Sequence, residues 1–349
     1  VILNGSGTIK LAGGNKNANT APTFAENGDA PATGYPAGVV FNGNGHSVKR
    51  ARATEALFTL IEQGATVKNL TLGGTRVAAG TVSDRGTGNL AAFNRGVIEN
   101  CDNAMNVNLT NVDSDLIIAG LVTDNAGLLR NCKNSGDISV SMNITANRTV
   151  YGGGICARAQ RNLGDELFSG SFEGCVNSGS IVIKRSATGI FSLTKFALGG
   201  IAGVVYQGTS TGVHSSFRNC TNSGNITYWQ DDKHTNTNYG YCVGGILGRN
   251  ILVSEGPDFY VILGGANATT SSGGFYINME NCHNTGSLDV SIYSATAADS
   301  NGHTGTGCGN TCSNQCHCAI AHPLPGCCTI NSRVYIVIGV LMAEFINSL

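Results

Sequence analysis

The sequence predicts an all-β solenoid, a parallel β-helix with about three short strands per rung. Three observations carry this. The phrase Cys-x-Asn-Ser/Thr-Gly-x-Ile/Leu is written four times, in "NCKNSGDI" (Asn131–Ile138), "GCVNSGSI" (Gly174–Ile181), "NCTNSGNI" (Asn219–Ile226) and "NCHNTGSL" (Asn281–Leu288). A glycine-rich phrase precedes each copy: "IAGLV" (Ile118–Val122), "GGGIC" (Gly152–Cys156), "LGGIAG" (Leu198–Gly203) and "VGGILG" (Val243–Gly248). The segments between are short, rich in Ile and Val and bounded by Gly and Asn, with no amphipathic helical period.

The elements of one unit follow in order. Gly-Gly-Ile opens a first strand, a second ends at Asn-Cys, and a third is the Gly-x-Ile-x-Val run, as in "GDISVS" and "GSIVIK". The units "NLAAFNRGVIENC" (Asn89–Cys101) and "GLVTDNAGLLRNC" (Gly120–Cys132) align without a gap. Aligned cysteines Cys101, Cys132, Cys175, Cys220 and Cys282 are separated by 31, 43, 45 and 62 residues. A shortest period near 31 is one rung, and stacked rungs bury their inward side chains in a continuous core. An antiparallel sandwich also has many short strands, but it does not require the same residue at the same place in every unit.

Stacking explains the repeated phrase. Equivalent residues of adjacent rungs lie one strand spacing apart, about 4.8 Å. Asn134, Asn177, Asn222 and Asn284 are then placed to form an amide ladder. The repeated Gly supplies corner conformations. The Cys column reads most simply as small buried hydrophobes, with disulfide or metal as the alternative; parallel Cβ vectors disfavour bridges between rungs.

Composition agrees with a chain that turns often. Of 349 residues, 49 are Gly and only 12% are charged, while 41% are hydrophobic. The net charge of -1 leaves no basic footprint for nucleic acid. The most apolar run, "VYIVIGVLMA" (Val334–Ala343), is too short to span a bilayer, so no membrane insertion is expected. The start at Val1, with no Met or leader, reads as a processed or excised segment. No cofactor is implied.

Length variation concentrates between the glycine-rich phrase and the next cysteine, where the spacings are 12, 21, 20 and 37 residues. Long loops are therefore expected along one edge, the largest over Ile251–Ile277, and such an edge suits binding. A second candidate is "ITYWQDDKHTNTNYGY" (Ile226–Tyr241), read as a loop. It carries the only tryptophan, Trp229, with Tyr228, Tyr239, Tyr241, Asp231, Asp232 and His234. Aromatic faces beside carboxylates and amides match a sugar's apolar face and hydroxyl rim. The alternative is aromatic packing on the solenoid flank.

Six of the 13 cysteines fall between Cys308 and Cys328. The segment reads as a worn final rung or tail in which disulfides are expected. A zinc set drawn from Cys308, Cys312, Cys316, His317 and Cys318 is a weaker alternative, because no Cys-x-x-Cys pair is present. For enzyme chemistry the candidate carboxylate pairs are Asp113/Asp115 and Asp231/Asp232, although paired Asp in loops are usually solvated surface.

"VVFNGNGHSVKR" (Val39–Arg50), "ALFTLIEQGATVKNLTLGG" (Ala56–Gly74) and the Gly-Gly-Ile and Asn-Cys-x-Asn-x-Gly units together resemble the GLUG-repeat proteins of bacteria, over about residues 39–290. The resemblance implies a right-handed β-helix similar to pectate lyases, in a secreted or surface-attached protein; some family members resemble adhesins. It departs where the second Gly of Gly-x-x-Gly, present at Gly203 and Gly248, is Thr123 or Ala157. The expectation is thus one right-handed parallel β-helix. Residues 1–54 form a lead-in and capping region, 55–300 the repeats and 301–349 a Cys-rich terminal rung or tail. The expected role is an extracellular or cell-surface adhesin or stalk presenting loops to a glycan or host surface protein. A polysaccharide lyase or hydrolase, and a fibre subunit self-assembling through its ends, are the alternatives.

Overall fold

The computed structural model describes residues 8–11, 37–50, 56–79, 88–159, 170–187, 193–207, 215–230, 241–252 and 278–292. Among these residues there is no helix. The strands pair in parallel, rung on rung, into four stacked sheets, the arrangement of a parallel β-helix.

One rung shows the path. Leu128–Arg130 lies in the first sheet. The chain turns at Asn131, crosses Cys132, and contributes Lys133–Asn134 and then Ile138–Ile144 to the second sheet. Arg148–Gly153 returns in the third sheet and Cys156–Ala159 runs in the fourth, before Ser171–Glu173 re-enters the first. A rung therefore holds five strand segments in four sheets, where three strands were expected. The difference arises at the glycine-rich phrase, which ends one strand and turns into another. A Cβ on Gly153 would sit 1.8 Å from the Cys156 carbonyl oxygen, so only glycine permits this tight reversal.

Three layers of contact follow. Val107, Leu109, Ile138, Val140, Ile181 and Ile226 of the second sheet pack on Leu116, Val150, Phe196 and Val243 of the third. The opposite face of the third sheet (Ile117, Tyr151, Ala197, Cys242) meets Ala157 and Val204 of the fourth. The remaining core joins the fourth sheet, the first sheet and the cysteine column. Within it, Phe172 and Phe217 stack at 4.6 Å between ring centroids, nearly parallel.

The corner before each cysteine is set by backbone conformation. Asn100, Asn131, Asn219 and Asn281 have φ between 51° and 53°, Gly174 takes the same place at 61°, and Asn69, before Leu70, has φ 57°. Asparagine is the side-chain-bearing residue that best tolerates this left-handed region. It explains why Asn, or Gly in one case, stands before each Cys. Some of these exposed amides also bond between rungs, as when Asn100 Nδ2 donates to Asn69 Oδ1 at 3.3 Å and Asn281 Nδ2 to Asn219 Oδ1 at 3.3 Å.

The interior asparagines form a continuous ladder. Nδ2 of Asn103 donates to Oδ1 of Asn134, Asn134 to Asn177, Asn177 to Asn222 and Asn222 to Asn284, each at 2.7 Å. The second Nδ2 hydrogen of Asn134, Asn177, Asn222 and Asn284 reaches the carbonyl two residues on, at 2.9–3.0 Å. The glycine-rich phrase packs against this ladder. A Cβ on Gly120 would lie 2.4 Å from Asn134 Oδ1, and on Gly154, Gly200 and Gly245 it would lie 2.3 Å from Cγ of Asn177, Asn222 and Asn284. The two repeated phrases are two sides of one contact.

Cys101, Cys132, Cys175 and Cys220 are buried free thiols, and Cys282 at the last described rung is half-buried. Each donates to carbonyls above it or beside it, for example Cys132 to Arg130 O at 3.3 Å and Cys175 to Leu129 O at 3.4 Å. Burial pushes the Cys101 thiol up to about 12 and raises Cys156 as well. Strands Val40–Asn42 and Ser47–Arg50 already pair with Thr66–Lys68 and Thr71–Ala79, so the ladders begin ahead of residue 55. The cysteine-rich segment, with Cys308, Cys312, Cys316, His317 and Cys318, and most of the Ile251–Ile277 insertion lie outside the described residues.

Candidate functional site

The stretch from Ile226 is not all loop. Ile226–Gln230 is a strand of the second sheet with strict alternation. Ile226, Tyr228 and Gln230 point inward, and Trp229 points out. Tyr228 is therefore withdrawn from the binding set. It is fully buried, its ring lies 4.4 Å from that of Phe196, and its hydroxyl donates to Gln230 Oε1 at 3.0 Å. Trp229 is in a strand yet 42% exposed, and with Val40 it is one of two exposed large hydrophobic side chains among the described residues. Asp231, Asp232, His234 and Tyr239 lie outside the described residues. Tyr241 opens the strand Tyr241–Gly244 of the third sheet; its side chain is outside the description.

Register supplies the neighbours of Trp229 that the linear sequence does not. Lys184 pairs with Trp229 from the preceding rung and Ser291 from the next; Val182, Thr227 and Asp289 form the adjacent column. Parallel, in-register strands put same-face side chains side by side, about 4.8 Å apart at the backbone. The indole thus has an exposed lysine beside it in its own column, with a half-buried threonine and an exposed aspartate one column away. The arrangement offers an apolar platform with charged and hydroxyl groups at its rim, built on a rigid sheet.

The other carboxylates weighed for catalysis are tied into the stack. Asp113 accepts from the Thr145 backbone N–H at 3.0 Å, from the Thr145 hydroxyl, and from Arg148 Nε and Nη2 at 3.1 and 2.9 Å. The Thr145 bonds, with Arg148 in support, hold its carboxyl down at about 2. Asp115 accepts the Thr149 N–H at 2.8 Å. Both fasten the turn of the next rung, a structural use of acceptors on adjacent rungs.

Two arrangements escaped the sequence reading. One is a buried bidentate pair: Arg158 Nε and Nη2 donate to the two oxygens of fully buried Asp124, both at 2.6 Å. Tyr151 and Tyr206 lie beside it with rings edge-to-face at 6.2 Å, and burial raises both phenols. The other is a column of alternating charge on the first sheet. Lys68, Glu99, Arg130, Glu173, Arg218 and Glu280 stand in register on successive rungs. Ion pairs link Arg130 to Glu173 at 2.8 Å and to Glu99 at 3.7 Å, and Arg218 to Glu280 at 3.6 Å. Among the described residues no group of three or more His, Cys, Asp or Glu side chains is placed to hold a metal ion.

No family model, curated protein or solved structure matches this chain.

Proposed function

We propose that this chain is a rigid extracellular or cell-surface carrier of the adhesin or stalk type, which presents a glycan-contact surface centred on Trp229. The observation that carries the reading is the outward indole. In a chain with a single tryptophan, it stands on a flat parallel sheet rather than in the core, with Lys184, Thr227 and Asp289 at its edges. An exposed aromatic ring on a rigid support suits the apolar face of a pyranose, and its polar rim suits the hydroxyls. The resemblance to GLUG-repeat surface proteins supports the location and the carrier role. The enzyme reading loses one candidate pair, because Asp113 and Asp115 are committed to bonds between rungs.

A glycan-array screen of the whole chain, followed by titration of each hit, tests this. Stacking on an aromatic ring is worth about 0.5–1.5 kcal/mol beyond area burial, so Trp229→Ala should weaken a genuine hit about two- to twelvefold. Because the side chain points outward, the variant should keep the native circular dichroism spectrum. An array without hits, or a hit whose affinity ignores Trp229, overturns the proposal.

A further inference from the structure

We infer that the Trp229 surface selects acidic sugars, pyranoses carrying a ring-attached carboxylate, with Lys184 as the residue that recognises the charge. The inference rests on the glycan reading above and adds the substrate class. Lys184 and Trp229 are Cα partners on adjacent strands and both side chains are exposed on the same outer face. Lys184 makes no ion pair among the described residues, unlike Arg130 and Arg218 on the first sheet and Arg148 beside Asp113. Its ammonium, with no charged partner among the described residues, can donate up to three hydrogen bonds beside an apolar platform.

The geometry constrains what can use it. A pyranose ring lying on the indole spans roughly the 4.8 Å between adjacent rungs, so its exocyclic substituent falls over the neighbouring rung. On the Lys184 side a carboxylate there meets the ammonium. The column next to the indole places Asp289 toward the other rung, paired with Thr227. A carboxylate turned that way meets like charge, which is unfavourable. The pair of flanks therefore fixes orientation as well as class: acid group toward Lys184, hydroxyl face toward Asp289. A neutral hexose has the stacking and hydroxyl contacts without the charge pair.

The test is an array printed as matched pairs, each uronate-containing oligosaccharide beside its carboxyl-reduced counterpart, such as a β-1,4-linked glucuronic acid tetramer and cellotetraose. The expected result is a preference for the acid within pairs of up to about fivefold, the upper end for an exposed ion pair. Lys184→Gln should erase that preference, weakening the acidic member more than the neutral one, while Lys184→Arg retains it. Raising the salt to 0.5 M should shrink the preference, because the pair is exposed. Trp229→Ala should weaken both members alike. Equal affinity for the two members, or a preference that survives Lys184→Gln, overturns the acidic-sugar inference while leaving glycan binding intact. No binding by either member across the array removes the glycan reading and this inference with it.

Discussion

Asn177→Ala is the sharpest test of how the stack is held. The Asn177 side chain is fully buried. Its Oδ1 accepts from Asn134 at 2.7 Å, and its Nδ2 donates to Asn222 Oδ1 at 2.7 Å and to Gly179 O at 2.9 Å. Alanine removes all three bonds. Asn134 Nδ2 keeps the Gly136 carbonyl at 3.0 Å, but Asn222 Oδ1 and Gly179 O lose this donor inside the core. An orphaned buried polar group costs about 1–3 kcal/mol, so the substitution should destabilise by about 2–4 kcal/mol. That is a large share of the ~5–15 kcal/mol of a typical domain. Asn284→Ala, at the half-buried last described rung, should cost about half as much. Asn177→Asp separates hydrogen bonding from packing. Its carboxylate is acceptor-only and faces two further acceptors, and burial raises its pKa above the unfolded value of about 3.9. The penalty is therefore full at neutral pH and relieved as pH falls through that raised value, so the gap to wild type narrows between pH 7 and pH 4. Urea unfolding followed by Trp229 fluorescence and far-UV circular dichroism measures all three variants. A cost below about 0.5 kcal/mol for Asn177→Ala, or equal costs at positions 177 and 284, would refute the ladder as the source of stability.

Three further predictions test the other columns. Arg130→Glu places three glutamates in succession, with Glu99 and Glu173; it should destabilise by about 1 kcal/mol at low salt and less at high salt. Urea midpoints at two ionic strengths read this out. In native-state labelling with iodoacetamide followed by peptide mass spectrometry, Cys282 should react first among the column, while Cys132, Cys175 and Cys220 stay protected until unfolding; prompt modification of the three would contradict their burial. Asp113 has a folded pKa of about 2, below the unfolded value of about 3.9. Its contribution is present above the unfolded value and lost as pH falls through the folded one. The wild type should therefore lose stability more steeply than Asp113→Asn between pH 4 and pH 2, and parallel curves would show that the Thr145 and Arg148 bonds contribute nothing.

The parallel solenoid was legible in the sequence because in-register stacking demands the same residue at the same place in each rung. The columns of Cys132, Cys175 and Cys220 and of Asn134, Asn177 and Asn222 are written directly as a phrase. The phase of each strand was less legible. Tyr228 and Trp229 are adjacent aromatics in an apparent loop; the corner at Asn219 and the strand that follows decide that one fills the core and the other meets solvent. The glycine-rich phrase looked like one strand, because a sequence pattern does not show that the Gly153 Cα stands against the Cys156 carbonyl and forces a reversal.

The alternating charge column shows the division most clearly. Glu99, Arg130, Glu173, Arg218 and Glu280 each stand two residues before a column cysteine, so the signal was present once the cysteines were aligned. Read along the chain, however, the insertions scatter these charges over intervals of 31, 43, 45 and 62 residues, and no local pattern marks them as neighbours. The same holds for Asp124 with Arg158 and for Lys184 with Trp229. Repetition at a fixed place in the rung is a local demand, and a single sequence displays it. Contact between two different side chains on adjacent rungs depends on register across insertions of unequal length, and only the stacked backbone sets that register.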